Sequence, residues 1–277
     1  MRIYGLDFTS APNKKKPLTV VACTLESNTL WVEDFEMFTS FAPFEDFLRR
    51  PGPWVAGMDF AFGQPRKLID NLGFPQDWQA YVELVEGMGK REWVRTVDAY
   101  IQPRNPGDKL HFRAVDQLAG AQSPMKMYFI PVGRMFYEGA RRLAASDVSV
   151  VPNRPTDDNR VVLEVYPALV VRKLIGRGSK YKSDNTTQQT ATAQAKRTAI
   201  FDGIKQHSSD LYGLTLDVPQ ALEPQFVTDP TGDPLDALLA ALQAAWGAEQ
   251  PNYGVPQDVD TLEGWIIDPE LLEKNHG

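Results

Sequence analysis

An aspartate closes each of two apolar, strand-like runs: Asp7 in YGLDFTSAP (residues 4–12) and Asp59 in GMDFAFG (57–63). A carboxylate late in an apolar strand is costly to bury without partners, so it is either satisfied locally or holds something. Three more acids stand in structured surroundings. Glu164 lies in LEVYPA, and Asp233 and Asp236 open the run DPLDALLAALQAAW. Carboxylates brought together repel and raise each other's pKa, so such a cluster is stable near neutral pH mainly around a cation. Mg²⁺ and Mn²⁺ suit oxygen ligands. Two such ions about 4 Å apart clamp the attacking and leaving oxygens of a phosphodiester displacement. That chemistry needs acids from separate elements and no nucleophilic side chain, which is the inventory here.

Each acid also has a local explanation. Asp7 and Asp59 suit turn acceptors, Asp7 for the amides of Thr9 and Ser10. Glu164 suits an ion pair with Arg172 or Lys173. Asp233 suits an N-cap with Pro234 at the first helical position, and Asp236 then closes a capping box. Among basic residues, Lys180 and Lys182 in GSKYKS, Lys14, Lys15 and Lys16 on a turn, and Arg91, Arg95, Arg104 and Arg113 offer material for a phosphate-binding patch. The same residues suit a solvated surface. GRGSK is too short in its glycine spacing to be a P-loop. Tyr166 and Tyr181 suit either base stacking or packing.

Four strands are expected to position the first acids. RIYGLDFTS, PLTVVACTL and TLWVEDFEMF follow one another across short turns and suggest an antiparallel meander. A helix over FAPFEDFLRR stops at PGP, and WVAGMDFAFG is the fourth strand. If strands one and four are parallel neighbours, Asp7 and Asp59 meet at a sheet edge where ligands bind. Residues 65–147 read as a helical insertion with a polar, proline-rich middle. A fifth strand, RVVLEVYPA, precedes the helix LVVRKLIG, a basic loop, a helix over TAQAKRTAIFDGIKQ and the strong helix over DPLDALLAALQAAWGA. The pattern predicts an α/β protein of one domain over 1–250, with one mixed sheet covered by helices, and an irregular C-terminal tail over 251–277.

Composition narrows the function classes. The chain of 277 residues is 43% hydrophobic and carries a net charge of −7, so nucleic acid would need a local basic patch rather than the whole surface. Cys23 alone precludes an internal disulfide, and with His111, His207 and His276 it leaves no zinc-site spacing. No signal peptide or membrane-length apolar run is evident, so the expected location is the cytoplasm.

Taken in order, YGLDFTSA, GMDFAFG, LEVYPA, KYK and DPLDALLAALQAAW resemble the landmarks of the DUF429 family of predicted nucleases, over roughly residues 1–250. The resemblance implies a ribonuclease H-like fold, in which the meander is joined by parallel strands. It implies Mg²⁺ or Mn²⁺ as cofactor and nucleic acid, DNA or RNA, as substrate. Asp7 then matches the central metal ligand, Asp59 the strand-four acid and Asp236 the closing-helix acid, with Asp233 its nearby alternative. Glu164 matches the family's EVYPA motif as ligand or positioner, and Lys180 and Lys182 are candidates to bind substrate. The long insertion departs from a compact ribonuclease H core. Two other readings stay open. One is a phosphotransferase of the actin and sugar-kinase type, against which the phosphate loops are poor in glycine. The other is a non-catalytic scaffold in which the acids are caps and ion pairs.

Overall fold

A computed structural model describes residues 1–275; His276, one of the three histidines, lies outside the described residues. The predicted meander forms as β1 (Arg2–Asp7), β2 (Leu18–Glu26) and β3 (Thr29–Phe38), paired antiparallel in sequence. Ser27 and Asn28, both at positive φ, make the tight turn whose twist matches the flanking strands. Helix α1 (Phe41–Leu48) buries Phe44, Phe47 and Leu48, and β4 (Trp54–Asp59) returns parallel to β1 on its free side.

The insertion is helical, as expected, and holds α2 (Arg66–Leu72), α3 (Trp78–Met88), α4 (Lys90–Ile101), α5 (Ala114–Ala119) and α6 (Val132–Ala144). After it come β5 (Ser149–Val151), β6 (Arg160–Glu164), α7 (Pro167–Ile175), α8 (Ala191–Tyr212), β7 (Thr215–Asp217), α9 (Glu223–Thr228) and α10 (Asp233–Glu249). The seven strands form one mixed sheet in the order β5-β6-β4-β1-β2-β3-β7, with β2 antiparallel to its neighbours and the remaining pairs parallel. The short edge strands β5 and β7 extend the sheet beyond the strands expected from the sequence.

Strand alternation assigns each side chain to a face. Ile3, Val55, Val161 and Leu163 point into a core shared with α7, α8 and α10. Leu6, Val20, Met58 and Val162 point into a second core with α1 and the insertion helices. The insertion is therefore the layer that covers the second face. The C-terminal segment is integrated more fully than an irregular tail: Trp265, Ile266, Ile267 and Leu271 are buried, Ile266 bridges to Glu164, and residues Pro269–Asn275 form α11.

Helix α10 lies unusually close to the sheet. Its residues from Asp233 to Gly247 are buried all round. A Cβ on Gly5 would sit 2.0 Å from the carbonyl oxygen of Ala237, and one on Gly57 would sit 2.5 Å from that of Ala240. Gly5 and Gly57 are in register across β1 and β4. Together with the small alanines of α10, they let helix and sheet backbones touch. This contact determines where the acids end up.

Candidate functional site

Asp7 and Asp59 lie two residues beyond Gly5 and Gly57, so the period of two aims them at the same face and toward the start of α10. Their Cα atoms are register partners at the C-terminal ends of parallel strands. The conditional expectation that these strands adjoin is thus met. Among the described residues no hydrogen bond reaches either carboxylate, so the turn-acceptor explanation is not realised. Thr19, the register partner of Asp7 on β2, also keeps a buried hydroxyl oxygen without a partner.

Asp233 and Asp236 approach from α10, with 2% and 1% of their surface exposed. The helix begins one residue earlier than expected. Gly232, in the left-handed conformation at φ 73°, is the N-cap, and neither aspartate makes a side-chain cap. Tertiary packing sets this start: a Cβ on Gly232 would meet the Lys182 side chain at 2.8 Å. The basic loop therefore runs directly against the beginning of α10.

That loop supplies two groups to the acids. Tyr181 donates its hydroxyl to Asp236 at 2.6 Å, and the Lys182 ammonium bonds the other oxygen of the same carboxylate. Arg197 holds the loop by donating to the Tyr181 carbonyl at 2.7 Å. A second ammonium comes from the first turn. Lys16 bonds Asp233 at 2.6 Å and the exposed Asp184 at 2.9 Å. Asn13 shapes this turn by accepting the Lys15 and Lys16 amides. Lys180, expected beside Lys182, is exposed and outside the cluster, as are Lys14 and Lys15.

The electrostatics follow from this arrangement. Burial, set against the attraction of Lys182 and joined by repulsion from Asp233, Asp236 and Asp59, holds the Asp7 carboxyl well above its ordinary value. Burial raises Asp59 to about 7, again opposed by Lys182 and assisted by Asp236 and Glu164. Burial also raises Asp233 against the pull of Lys16. For Lys182, burial favours the neutral amine, but Asp236, Tyr181 and Asp7 outweigh it and hold the ammonium well above the ordinary range. Three buried carboxylates and the half-buried Asp59 thus face two ammoniums, which leaves two negative charges unmatched when all the acids ionise.

Among the described residues, no three acidic, histidine or cysteine side chains already converge as a metal cage. Lys182 and Lys16 are bonded to Asp236 and Asp233 in the positions a cation would compete for. The donor set nonetheless fits a hard divalent ion. Among the described residues Asp7 and Asp59 accept no hydrogen bond, and Asp233 keeps one buried oxygen, Oδ2, without a partner.

Glu164 belongs to a neighbouring arrangement. It is the register partner of Met58, so it leaves β6 toward the insertion. Arg113 grips both of its oxygens at 2.7 and 2.5 Å, grips Asp116 at 2.7 Å and donates to the Glu263 carbonyl. The Phe62 amide donates to Glu164 at 2.8 Å. The sequence suggests an ion pair with a neighbouring Arg or Lys, and Arg113 is that partner rather than Arg172 or Lys173. Instead Arg172 binds the Ala119 and Gly120 carbonyls, and Lys173 binds Asp268. Arg113, expected among surface phosphate binders, is 1% exposed and ties the insertion to the sheet. Arg104 is likewise engaged, with Asp108 and the Tyr100 ring. Between this ion cluster and the aspartates opens a cavity of about 310 Å³.

These features define a mixed α/β protein with buried carboxylates at the C-terminal edge of parallel strands, closed by the start of a buried helix. The chain belongs to the DUF429 family, described as a protein of unknown function, which matches residues 5–261. No curated protein and no solved structure matches it.

Proposed function

We propose that the protein is a divalent-metal-dependent nuclease of the ribonuclease H-like class, hydrolysing phosphodiester bonds in nucleic acid. The observation that carries this reading is the registered pair Asp7 and Asp59 facing Asp236 and Asp233 across the sheet-helix contact, four carboxyl groups beside two ammoniums. The meander continued by parallel strands on the other side of β1 supports the fold assignment. Asp7, Asp59 and Asp236 would hold Mg²⁺ or Mn²⁺, with Asp233 beside them. When bound, the metal supplies Lewis-acid activation of water and charge neutralisation at the phosphate.

The remaining work falls to the chain itself. Strand ends locked by the α10 contact hold Asp7 and Asp59 without reorganisation. Lys182 and Lys16 are the ammoniums nearest the acids and meet the phosphate oxygens of an approaching strand. Asp59, raised to about 7 by burial, would give up its proton on taking up the ion. The local positive groups matter because the net charge of −7 otherwise repels nucleic acid.

The test combines Mn²⁺ titration calorimetry with cleavage assays on single- and double-stranded DNA and RNA, using Asp7→Asn as control. Mn²⁺ binding and metal-dependent cleavage, both lost in the variant, are expected. Cleavage that persists in Asp7→Asn sinks the assignment.

A further inference from the structure

We propose that the cavity beside the carboxylates receives one unstacked nucleobase while Phe129, outside the cavity next to Ile130, stacks the neighbouring base, so that the substrate is a single-stranded segment of nucleic acid. The inference rests on the nuclease reading and deepens it.

The cavity lies between the aspartates and the mutually paired Arg113, Glu164 and Asp116, and its remaining lining is largely apolar. Asp59, Asp236 and Lys182 are part of the lining. Ile130, Val132 and Met135 from the insertion, with Val165 and Ile266 opposite, form apolar walls. A group that is flat and weakly polar at one end and phosphate-bearing at the other complements this lining. At about 310 Å³ the space admits one ring system and not a stacked helix. The Tyr166 ring borders the cavity, fixed by a hydroxyl contact with Arg172 at 3.1 Å. Gln122, an exposed residue at the lining, accepts a hydrogen bond from the Lys126 ammonium at its side-chain oxygen, and its amide NH₂ makes no hydrogen bond among the described residues. That donor suits the acceptors on a base edge.

The segment leading into the cavity wall at Ile130 is the second observation. Tyr128, Phe129 and Ile130 are 53%, 100% and 57% exposed, an apolar triplet open to water. Phe129 holds φ at 64°, a region that costs a bulky residue free energy. The triplet is firmly mounted. Met125 and Met127 on its N-terminal side are buried, the Gly133 amide donates to the Lys126 carbonyl at 2.9 Å, and Tyr128 bonds Asp98 at 2.6 Å. Arg134 lies over the Tyr128 ring, 5.5 Å from its centroid. A strained, fully exposed aromatic on a braced tip, continuous through Ile130 with a cavity beside the acids, is a stacking platform. Bases of any sequence stack on such a ring. A base enters only after leaving its own stack, which costs least when it is already unpaired.

The experiment measures binding of oligonucleotides carrying one 2-aminopurine, single-stranded and in blunt duplex, with Ca²⁺ present to limit cleavage. Proteins compared are the native chain, Phe129→Ala and Phe129→Trp. Phe129 is exposed, so neither change disturbs the core. Expected are a 2-aminopurine fluorescence change on binding, tighter binding of the single strand, about ten-fold weaker binding by Phe129→Ala, and retention by Phe129→Trp. Equal affinity for duplex and single strand, or native affinity in Phe129→Ala, overturns the base pocket and leaves metal-dependent cleavage standing. No binding of either oligonucleotide and no cleavage overturns the pocket and the nuclease reading together.

Discussion

Asp7 and Asp59 stand side by side in register at the ends of two parallel strands, each two residues beyond a glycine that α10 presses against. Their proximity is therefore a property of the backbone, independent of side-chain choice. Replacing either carboxylate removes a proposed metal ligand without removing the scaffold. Asp7→Asn is expected to lower metal-dependent cleavage at least about 100-fold, since outer partners of metal ligands alone are worth about 10- to 100-fold. The same change removes a buried charge whose ionisation burial opposes. The metal-free variant should consequently melt no lower than the native protein. Calorimetric melting beside the cleavage assay checks both halves.

The raised carboxyl of Asp59 has a stability consequence. Its value of about 7 exceeds the ordinary 3.8, so between those limits the folded state binds more protons than the unfolded chain. The stability that Asp59 contributes is full below about pH 4 and is lost as pH rises through about 7. Asp7, raised by the same burial, acts in the same direction. Metal-free protein should lose thermal stability on going from pH 5 to pH 8, and Asp59→Asn should flatten that slope. Mn²⁺ binding near pH 7 should release protons in native protein, detectable as calorimetric heats that vary with buffer ionisation enthalpy. Buffer-independent heats contradict the coupling.

Much of the frame is legible along the chain because its signals are local. The meander shows as β-branched runs between turns, and α10 as an unbroken helical pattern opened by acids. What escapes depends on distance or brevity. Strands β5 and β7 have three residues each, too few for alternation to register. Helix α4 buries only Trp93 and Val97, so its apolar stripe is thin. The start of α10 moves by one residue because Gly232 answers to Lys182, about 50 positions away, rather than to its own neighbours. Likewise the Lys16–Asp233 and Arg113–Glu164 pairs span 217 and 51 positions. Nothing in local spacing separates Arg113 from Arg91 or Arg95, which stay exposed. The readable part of the site is its acids, and the unreadable part is their partners.

Lys182 competes with any cation for Asp236. Its ammonium lies on that carboxylate and feels Asp7 as well. Lys182→Met keeps the length and apolar stem while deleting the charge. Without metal, the variant should melt several degrees lower, because the acids lose their closest counter-charge. Its Mn²⁺ affinity should rise about ten-fold, since no ammonium has to leave Asp236. Unchanged affinity with a lowered melting temperature would mean that Lys182 is a fixed structural partner and that metal binds away from Asp236.

Arg113 lies between two buried acids, Glu164 and Asp116, and pairs with both. Arg113→Met leaves both uncompensated, and breaking such a pair costs about 3–5 kcal/mol. A urea midpoint lowered to match is expected. Glu164→Gln, which retains an oxygen for the Phe62 amide, should cost less, and the double variant should recover part of the Arg113→Met loss because one stranded charge is gone. The same pair of variants decides the role of Glu164 in catalysis. If it acts by fixing the cavity wall, Glu164→Gln lowers cleavage in proportion to its loss of stability and leaves Mn²⁺ affinity intact. A folded Glu164→Gln protein that no longer binds Mn²⁺ would instead make Glu164 a metal ligand, and its contact with Arg113 would be the resting state of that ligand.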